Sequence, residues 1–261
     1  MHPRNIYNKR LDFKALADEF PEFRKHTVLD IKGRIAFDFK DLEALRTLSK
    51  TLLKKDFNLD LHFPQNGLIP TIPLRLNYIL FIEDLLKSIN RIEAIKGLDI
   101  GTGASCIYPL ISARKNKWYM IGTDINYNAI EYAQRNVAKN ALSHLIEVVL
   151  VKEETVLEEI LRRDDARYDF CMCNPPFFGN PNELCSQLKR KLNRPLPKNA
   201  FVAEMHEVLT EGGEFAFVSK MIDESNKFHD RIRLYTSMIG IKRNIKPLLE
   251  KLQKMPCIKS T

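Results

Sequence analysis

The stretch "GLDIGTGASCIYPL", residues 97–110, decides the fold class of this chain. It opens with a short run, "GLDIG", that is typical of a buried strand. Asp99, Gly101 and Gly103 fall at the carboxyl end of that strand, where ligands bind in open α/β sheets. Glycine lets the backbone turn tightly there and lets a ligand approach without a Cβ atom in the way. The stretch therefore predicts the first strand of a ligand-binding α/β sheet.

The same stretch limits the kind of ligand. The dinucleotide fingerprint G-x-G-x-x-G is incomplete, because Cys106 occupies its last position. The lysine-containing phosphate-loop pattern is absent as well. A nucleoside without a phosphate chain therefore fits this loop better than NAD or ATP.

Strands and helices alternate from Gly97 onward. We predict strands at 97–101, 117–124, 146–151, 168–173, 214–220 and 233–240, and helices at 128–140, 200–209 and 245–254. This alternation, with short connections, predicts an α/β fold with a mostly parallel twisted sheet and helices on both faces. The segment 178–199 has no clear period and is long for a loop, from which we expect a functional or a mobile segment.

The first 70 residues have a different pattern, and we predict that they form an N-terminal RNA-binding appendage to a domain spanning 71–261. The appendage is expected to contain an amphipathic helix at 12–23, two strands within 27–39 and a helix at 41–57 with Asp41 as its N-cap. A further helix, at about 74–86, is expected to open the second domain.

Two polar residues follow later strands and are candidate ligand contacts. Asp124 ends the second strand and can accept hydrogen bonds from both hydroxyls of a ribose. The alternative for Asp124 is a helix N-cap or a turn residue. Thr155 follows the third strand, where it can meet a base, and a helix cap is an equally good interpretation.

The sequence "DFCMCNPPFFG", residues 169–179, places a polar amide, a rigid turn and two aromatic rings at the end of the fourth strand. A plain turn is the alternative, since Asn-Pro commonly opens turns. Together with the glycine loop after the first strand, the pattern favours a binding site.

Composition narrows the function classes. The chain has 261 residues, of which 44% are hydrophobic and 28% charged, so it can bury a core and general disorder is not expected. Its net charge of +8 favours a polyanionic partner, although a solvated basic surface is the alternative. No apolar run is long enough to span a membrane, and we expect an intracellular protein with reduced thiols. Cys171 and Cys173 lack a second ligand pair at suitable spacing, so we expect no metal site.

The glycine loop, the acidic end of the second strand and "NPPF" together resemble class I S-adenosylmethionine-dependent methyltransferases, and "NPPF" resembles their amino-methylating members. Longer segments, among them "MHPRNIY", "IPTIPLRLNYI" and "YDFCMCNPPFF", are similar to the catalytic domain of the methyltransferase-like 16 family of RNA adenine-N6 methyltransferases. This resemblance implies a Rossmann-like fold, S-adenosyl-L-methionine as cofactor, U6 small nuclear RNA or mRNA hairpins as partners, and a location in the nucleus and cytoplasm. It also implies an antiparallel strand pair after the last helix, where this sequence ends in "MPCIKST".

The resemblance further implies roles for individual residues. Cofactor contacts fall on Arg75, Gly101, Asp124, Thr155 and Asn174, to which the strand pattern adds Asp99 and Gly103. The catalytic corner that holds the target base falls on Asn174, Pro175, Pro176 and Phe177.

This corner suits methylation of an adenine amine, whose lone pair is delocalised into the ring and which must pyramidalise to attack a methyl group. The side-chain carbonyl of Asn174 and the main-chain carbonyl of Pro175 can accept its two protons, which favours that geometry and the positive charge that develops. The prolines fix φ at about −65° and so aim the carbonyl. Phe177 offers a ring for stacking. The chemistry requires neither a strong general base nor a metal.

The target adenine must leave any duplex to reach this corner, which is least costly for an unpaired base. The expected partner is therefore structured RNA with an unpaired adenine, bound through its phosphates to basic residues. The predicted RNA contacts are Arg4, Lys9, Arg10, Lys40, Lys189, Arg190, Lys191 and Arg194.

Two other functions stay open from the sequence. A protein glutamine-N5 methyltransferase would use the same acceptor geometry, but it usually has Tyr at the position of Phe177 and would not need a basic appendage. A catalytically impaired RNA-binding module would keep the basic surface without turnover.

Overall fold

The computed structural model describes residues 1–31, 34–65, 67–152, 154–179 and 209–255. The helices in these ranges are α1 Phe13–Glu19, α2 Pro21–Arg24, α3 Leu42–Phe57, α4 Ile72–Ser88, α5 Ile107–Asn116, α6 Tyr127–Lys139, α7 Glu158–Arg162, α8 Gly213–Lys227 and α9 Lys242–Gln253. The strands are β1 Thr27–Leu29, β2 Ile35–Phe37, β3 Lys96–Ile100, β4 Tyr119–Asp124, β5 Ile146–Leu150, β6 Tyr168–Cys173 and β7 Ile232–Tyr235.

A five-stranded sheet in the order β5-β4-β3-β6-β7 is the centre of the fold, and all of its strand pairs are parallel. The chain runs outward from β3 through β4 to β5, and then returns to the other side of β3 for β6 and β7. The strand order therefore reverses between β3 and β6, which is where open α/β sheets bind ligands. The predicted α/β fold class is confirmed.

The two strands at this reversal are fully enclosed. Every residue of β6 is buried, as is every residue of β3 after Lys96. Gly97 of β3 lies against the ring of Phe170, and a Cβ atom at position 97 would overlap that ring. The pairing of a glycine with a large aromatic residue thus lets the central strands approach each other without a void.

Several predicted helices are confirmed by their buried faces and caps. Ile130, Ala133 and Val137 of α6 are buried on one face, as the spacing predicts. The side chain of Asp41 caps α3 by accepting the N–H of Glu43 at 2.9 Å. The last helix of the described residues, α9, covers the predicted segment 245–254 except for its final residue. Of the predicted helix at 200–209, only Leu209 lies within the described residues.

The strand predicted at 214–220 is wrong, because these residues form the first half of α8. Alternating aromatic and small residues there imitate a period of two. The residues that α8 buries follow helical spacing instead, since Glu214, Val218, Met221 and Ile222 are three to four positions apart or adjacent. Gly212 precedes the helix with φ of +72°. The fifth strand of the sheet is therefore β7, Ile232–Tyr235. It overlaps the start of the segment 233–240, which the sequence pattern predicted as a sixth strand.

The helix predicted at 12–23 is also divided in two. Phe20 has an extended backbone between α1 and α2, with φ of −120° and ψ of 98°. Phe20 precedes Pro21, and the proline ring disfavours helical geometry in the residue before it. Pro21 can itself open the next helix, because it has no N–H to satisfy there.

One hydrophobic cluster joins the first 70 residues to the sheet. It combines Leu16, Phe23 and Leu53 with Ile79 of α4 and Phe170 of β6. The predicted boundary at residue 70 marks a change of sequence pattern rather than a separate core, and it stays a prediction. None of the described helices is long and apolar enough to cross a membrane.

A buried carboxylate holds the start of α7. Glu224 of α8 accepts the main-chain N–H groups of Val156 at 3.1 Å, Leu157 at 2.6 Å and Glu158 at 2.9 Å. Replacing Glu224 by glutamine removes the charge from these hydrogen bonds and leaves a buried donor beside three others. We expect the free energy of unfolding to fall by about 1–3 kcal/mol, measured by urea denaturation.

The neighbouring Asp223 provides the control. Its carboxylate is exposed and pairs with Lys251 at 2.6 Å. Asp223→Asn should change the free energy of unfolding by less than about 0.5 kcal/mol, because exposed ion pairs contribute little. Equal effects of the two substitutions would show that the Glu224 cap is not what stabilises this region.

Candidate active site

The registers of the sheet bring the sequence motifs together at one edge. Ile100 of β3 lies opposite Cys173 of β6, so Gly101 and Asn174 leave the sheet side by side. Asp124 is the last residue of β4, the other neighbour of β3. The glycine loop, the acidic residue and the Asn-Pro corner therefore share the carboxyl edge of the sheet, as the sequence predicts.

The glycine loop is open above the sheet. Gly101 and Gly103 have φ of +70° and +64°, values that side chains disfavour. Apart from its two chain neighbours, a Cβ atom built on either glycine would meet no heavy atom of the described residues within 4 Å. The backbone conformation therefore requires glycine, and the space beside it is free for a ligand.

Asp124 shapes this loop. One carboxylate oxygen accepts the N–H of Gly103 at 2.9 Å, and the other accepts the N–H of Asn126 at 3.0 Å. The cap of α6 is Asn126, whose side chain accepts the N–H of Ala129 at 2.9 Å. The turn-residue interpretation of Asp124 is thus correct for its contacts within the protein, while its contact with a ribose stays a prediction.

Asp99 is a buried residue, whereas Arg75 is partly exposed and only its Nε atom is buried; both have hydrogen-bonding atoms without a partner among the described residues. Asp99 is fully buried, and neither of its carboxylate oxygens has a hydrogen-bond partner among the described residues. Burial raises the pKa of Asp99 to about 7, against the opposing effects of the nearby Thr102 hydroxyl and then of the Arg75 charge. Arg75 donates from Nη1 to the hydroxyl of Tyr108 at 2.8 Å, while its buried Nε has no partner in the described part of the chain.

Thr155 also has a buried polar atom without a hydrogen-bond partner among the described residues. Its Oγ1 is buried and without a partner in the described ranges, and the N–H groups at the start of α7 are held by Glu224 instead. The helix-cap interpretation of Thr155 is therefore wrong.

These unpartnered groups fit S-adenosylmethionine. Buried polar atoms normally have partners. Unpartnered buried atoms occur in six of the described residues, namely Arg75, Asp99, Ser112, Arg114, Thr155 and Ser219. Three of these residues, Arg75, Asp99 and Thr155, are ones that the sequence analysis predicts as cofactor contacts. The Asp99 carboxylate suits the ammonium of the cofactor, the Arg75 guanidinium suits its carboxylate, and the Thr155 hydroxyl suits its base.

The Asn-Pro corner is held from three sides. The carbonyl of Cys173 accepts the N–H of Met238 at 2.9 Å, and the carbonyl of Phe178 accepts the N–H of Thr210 at 2.9 Å. Phe177 packs against Gly240, where a Cβ atom would lie 2.6 Å from the ring. The rings of Phe177 and Phe178 meet edge to face at 6.3 Å.

Sequence reasoning missed the residues that support this corner. Glu214 is buried and accepts the N–H groups of Gly240 at 2.6 Å and Ile241 at 3.2 Å. Tyr78 and Tyr108 lie in the interior behind the site. Only the spacing of Tyr78, three positions after Arg75 on α4, could have indicated a shared helix face.

The predicted RNA contacts divide into three groups. Arg4 forms ion pairs with Glu83 and Asp84 of α4, so it anchors the N-terminal arm. Its contact with RNA stays a prediction. Three of the others are exposed, namely Lys9, Arg10 and Lys40. The remaining residues lie outside the described residues, namely Lys189, Arg190, Lys191 and Arg194.

Cysteines and carboxylates form no metal centre in the described part of the chain. No group of three potential metal ligands occurs there. Cys171 and Cys173 are buried in β6 as free thiols, in line with small strand residues.

The Rossmann-like sheet, its glycine loop and the Asn-Pro corner define a class I S-adenosylmethionine-dependent methyltransferase. The sequence profile of a family described as RNA methyltransferase matches residues 1–260, so the chain belongs to that family.

Curated relatives agree with this membership. The chain is 44% identical over 262 residues to the RNA N(6)-adenosine-methyltransferase mettl16 of Danio rerio, and the match covers all of this chain and 55% of the relative. It is 46% identical over 271 residues to the U6 small nuclear RNA (adenine-(43)-N(6))-methyltransferase of Caenorhabditis elegans, covering 97% of the chain and 57% of the relative. The chain thus spans about half the length of these relatives.

Solved structures give the same result. The catalytic domain of human METTL16 in complex with MAT2A 3'UTR hairpin 1 superimposes with a TM-score of 0.88 at 44% identity, covering 97% of this chain and 86% of that one. The N-terminal domain of human METTL16 in complex with SAH gives a TM-score of 0.80 at 41% identity, covering 97% and 88%.

The raised pKa of Asp99 makes stability depend on pH. Asp99 takes up its proton more readily in the folded than in the unfolded protein, so its contribution to stability is present below its ordinary pKa of 3.8. That contribution is lost as the pH rises through about 7. Asp99→Asn removes this loss. The stability of the variant relative to the original protein should therefore increase between pH 4 and pH 7, measured by urea denaturation.

The affinity for cofactor should rise with pH, whereas the contribution of Asp99 to stability falls. The ionised Asp99 favours an ammonium, so affinity for S-adenosylhomocysteine in the original protein should rise as the pH passes 7 and should be weak in Asp99→Asn at every pH. Calorimetry measures both. If the original protein and Asp99→Asn show the same dependence of unfolding free energy on pH, and the same affinity for S-adenosylhomocysteine, Asp99 does not belong to the site.

Proposed function

We propose that this protein is an RNA adenine-N6 methyltransferase, which transfers a methyl group from S-adenosylmethionine to an unpaired adenine in structured RNA. The observation that carries the proposal is the pairing of Ile100 with Cys173, since it puts the glycine loop and the Asn-Pro corner side by side. The names of the relatives, which include a U6 small nuclear RNA methyltransferase, and the hairpin RNA in a similar structure support RNA as the substrate.

The corner would hold the acceptor amine through oxygen atoms. When bound, S-adenosylmethionine supplies the electrophilic methyl group. The Asn174 side chain is partly exposed and forms no hydrogen bond within the described ranges, so its carbonyl is available to one amine proton. The carbonyl of Pro175 can accept the other. Both acceptors bind more strongly as positive charge develops on the amine, so they stabilise the transition state more than the ground state.

The surroundings of the corner favour a flat base. Pro175 is buried, and Pro176, Phe177 and Phe178 are partly exposed. Stacking of a base on such a ring contributes about 1–3 kcal/mol. Gly240 packs closely against the Phe177 ring, since a Cβ atom there would lie 2.6 Å and 2.8 Å from two of the ring atoms.

The RNA backbone would lie on the basic surface. Lys9, Arg10 and Lys40 are exposed, and the chain carries a net charge of +8. Phosphate contacts position a nucleic acid without reading its sequence. A target in small nuclear RNA also supports a nuclear location for this protein.

The function is tested by incubating the protein with labelled S-adenosylmethionine and a panel of hairpin RNAs that carry bulged or paired adenines. Digestion to nucleosides should yield N6-methyladenosine, mainly from the unpaired adenines. A parallel incubation replaces the RNA by a glutamine-containing peptide, and label in that peptide alone would identify a protein glutamine-N5 methyltransferase. Salt-dependent RNA binding without transfer would identify an RNA-binding module.

The Asn174→Ala substitution tests the acceptor role. It removes a contact that strengthens in the transition state, so methyl transfer should fall by about 100-fold or more while RNA affinity stays nearly unchanged. Single-turnover rates and filter binding measure the two effects. Asn174→Asp keeps an acceptor oxygen and should retain more activity than the alanine variant. An alanine variant with normal turnover would count against the assignment.

The Lys9→Gln/Arg10→Gln double substitution tests the basic surface. Loss of two phosphate contacts should weaken RNA binding uniformly across hairpins and lower the slope of log K against log salt by about 2. Lys246→Gln is the control, because this exposed lysine of α9 has no proposed RNA contact. An unchanged salt slope in the double variant would exclude these two residues from the RNA contacts.

A further inference from the structure

A directed set of hydrogen bonds links α4 to the end of β6. The hydroxyl of Tyr78 accepts the N–H of Cys173 at 3.3 Å and lies 2.7 Å from Oγ1 of Thr236. Thr236 donates its hydroxyl proton to the carbonyl of Cys171 at 2.8 Å. Because that proton is already used, Tyr78 must donate its own proton to Thr236. The two hydroxyls therefore join two main-chain groups of the same strand.

The Tyr78 hydroxyl adds to the hydrogen bonds at the end of β6, where the main-chain N–H of Thr236 already donates to the carbonyl of Cys171 at 3.1 Å. β7 pairs with β6 only as far as Cys171. Beyond that point, Met238 donates to the carbonyl of Cys173 at 2.9 Å, and Tyr78 accepts the N–H of Cys173. The N–H and the carbonyl of Cys173, the last residue before Asn174, are thus bonded by Tyr78 and Met238, which lie outside the named strands.

Tyr78 is itself held rigidly. Its side chain is buried, and burial raises its pKa well above the ordinary value, so the hydroxyl keeps its proton. Its ring meets that of Tyr108 edge to face at 5.6 Å. The Tyr108 hydroxyl accepts from Arg75 at 2.8 Å and donates to the sulfur of Met238 at 3.4 Å. The residue predicted to bind cofactor and the support of the Asn-Pro corner therefore attach to one pair of packed tyrosines.

We propose that Tyr78 is a positioning residue for methyl transfer, which sets the direction in which Asn174 leaves the sheet by holding Cys173 and Thr236. This inference rests on the proposed function. Tyr78 acts through the backbone of the corner and does not touch the acceptor base. A small displacement of the acceptor oxygens is enough to slow the reaction, since methyl transfer needs the amine aligned with the methyl group.

Tyr78→Phe keeps the ring and removes the hydroxyl. We expect kcat to fall about tenfold, while KM for S-adenosylmethionine and KM for a hairpin RNA stay within about twofold. A merely structural role would lower the amount of folded protein without separating kcat from KM. A normal kcat in folded Tyr78→Phe would overturn the proposal.

Two substitutions at Thr236 give a rescue test. Thr236→Val removes the hydroxyl at nearly constant shape and should reproduce the loss in kcat. Thr236→Ser keeps the hydroxyl and should retain most of the activity. Because both groups belong to one set of hydrogen bonds, the Tyr78→Phe/Thr236→Val double variant should lose little more than either single variant. Additive losses would contradict the shared role.

Tyr235→Phe is the matched control, because it also removes one tyrosine hydroxyl. That hydroxyl donates to the carbonyl of Phe228 at 2.6 Å, away from the corner. Its loss should leave kcat unchanged. If the control slows turnover as much as Tyr78→Phe does, the corner-specific role fails.

A measurement that does not depend on methyl transfer separates this inference from the proposed function. Hydrogen exchange of the peptide spanning 170–178 should speed up in Tyr78→Phe but not in Tyr235→Phe, because the Cys173 N–H loses its acceptor. Faster exchange in a protein that methylates no RNA would overturn the proposed function while supporting the hydrogen-bonding role of Tyr78. Unchanged exchange would overturn the Tyr78 inference whatever the enzyme assay shows.

Discussion

The parallel pairing of β3 with β6 is the constraint on which the rest of the site depends. It sets Ile100 against Cys173, and so fixes the distance between the loop that begins at Gly101 and the corner that begins at Asn174. A shift by one residue would turn every side chain of β6 to the other face, and both faces are buried. The register is therefore held by packing over the whole sheet, and the site inherits that rigidity.

At the carboxyl edge of this sheet, some polar groups have hydrogen-bond partners within the described residues and others do not. Asp124 closes the glycine loop, and Glu214 and Tyr78 hold the peptides around the corner. The carboxylate of Asp99 and the hydroxyl oxygen of Thr155 are buried without hydrogen-bond partners among the described residues, and burial raises the pKa of Asp99. The folded protein thus carries a desolvation penalty at the place where a charged, polar ligand would remove it.

The N-terminal arm shows how one kind of residue can serve two purposes. Arg4 pairs with carboxylates of α4, the helix that also carries Arg75 and Tyr78, whereas Lys9 and Arg10 face solvent. The net charge of the sequence could not separate a basic residue that forms an ion pair within the protein from one that faces solvent, because both contribute the same charge. The arm is tied to the helix that carries Arg75, so the proposed RNA contacts and the proposed cofactor contacts would rest on one support.

The sequence by itself determined the α/β class, the strands that carry "GTG" and "NPPF", and the edge where they meet. Local patterns suffice for these, since a buried strand followed by glycine or Asn-Pro is written in a few adjacent residues. Only the tertiary structure decided that 214–220 is helical, that Glu224 and not Thr155 caps α7, and that Tyr78 supports the corner. These outcomes depend on partners about 66 to 95 positions away in the chain or on which face is buried, and no local pattern encodes a distant neighbour.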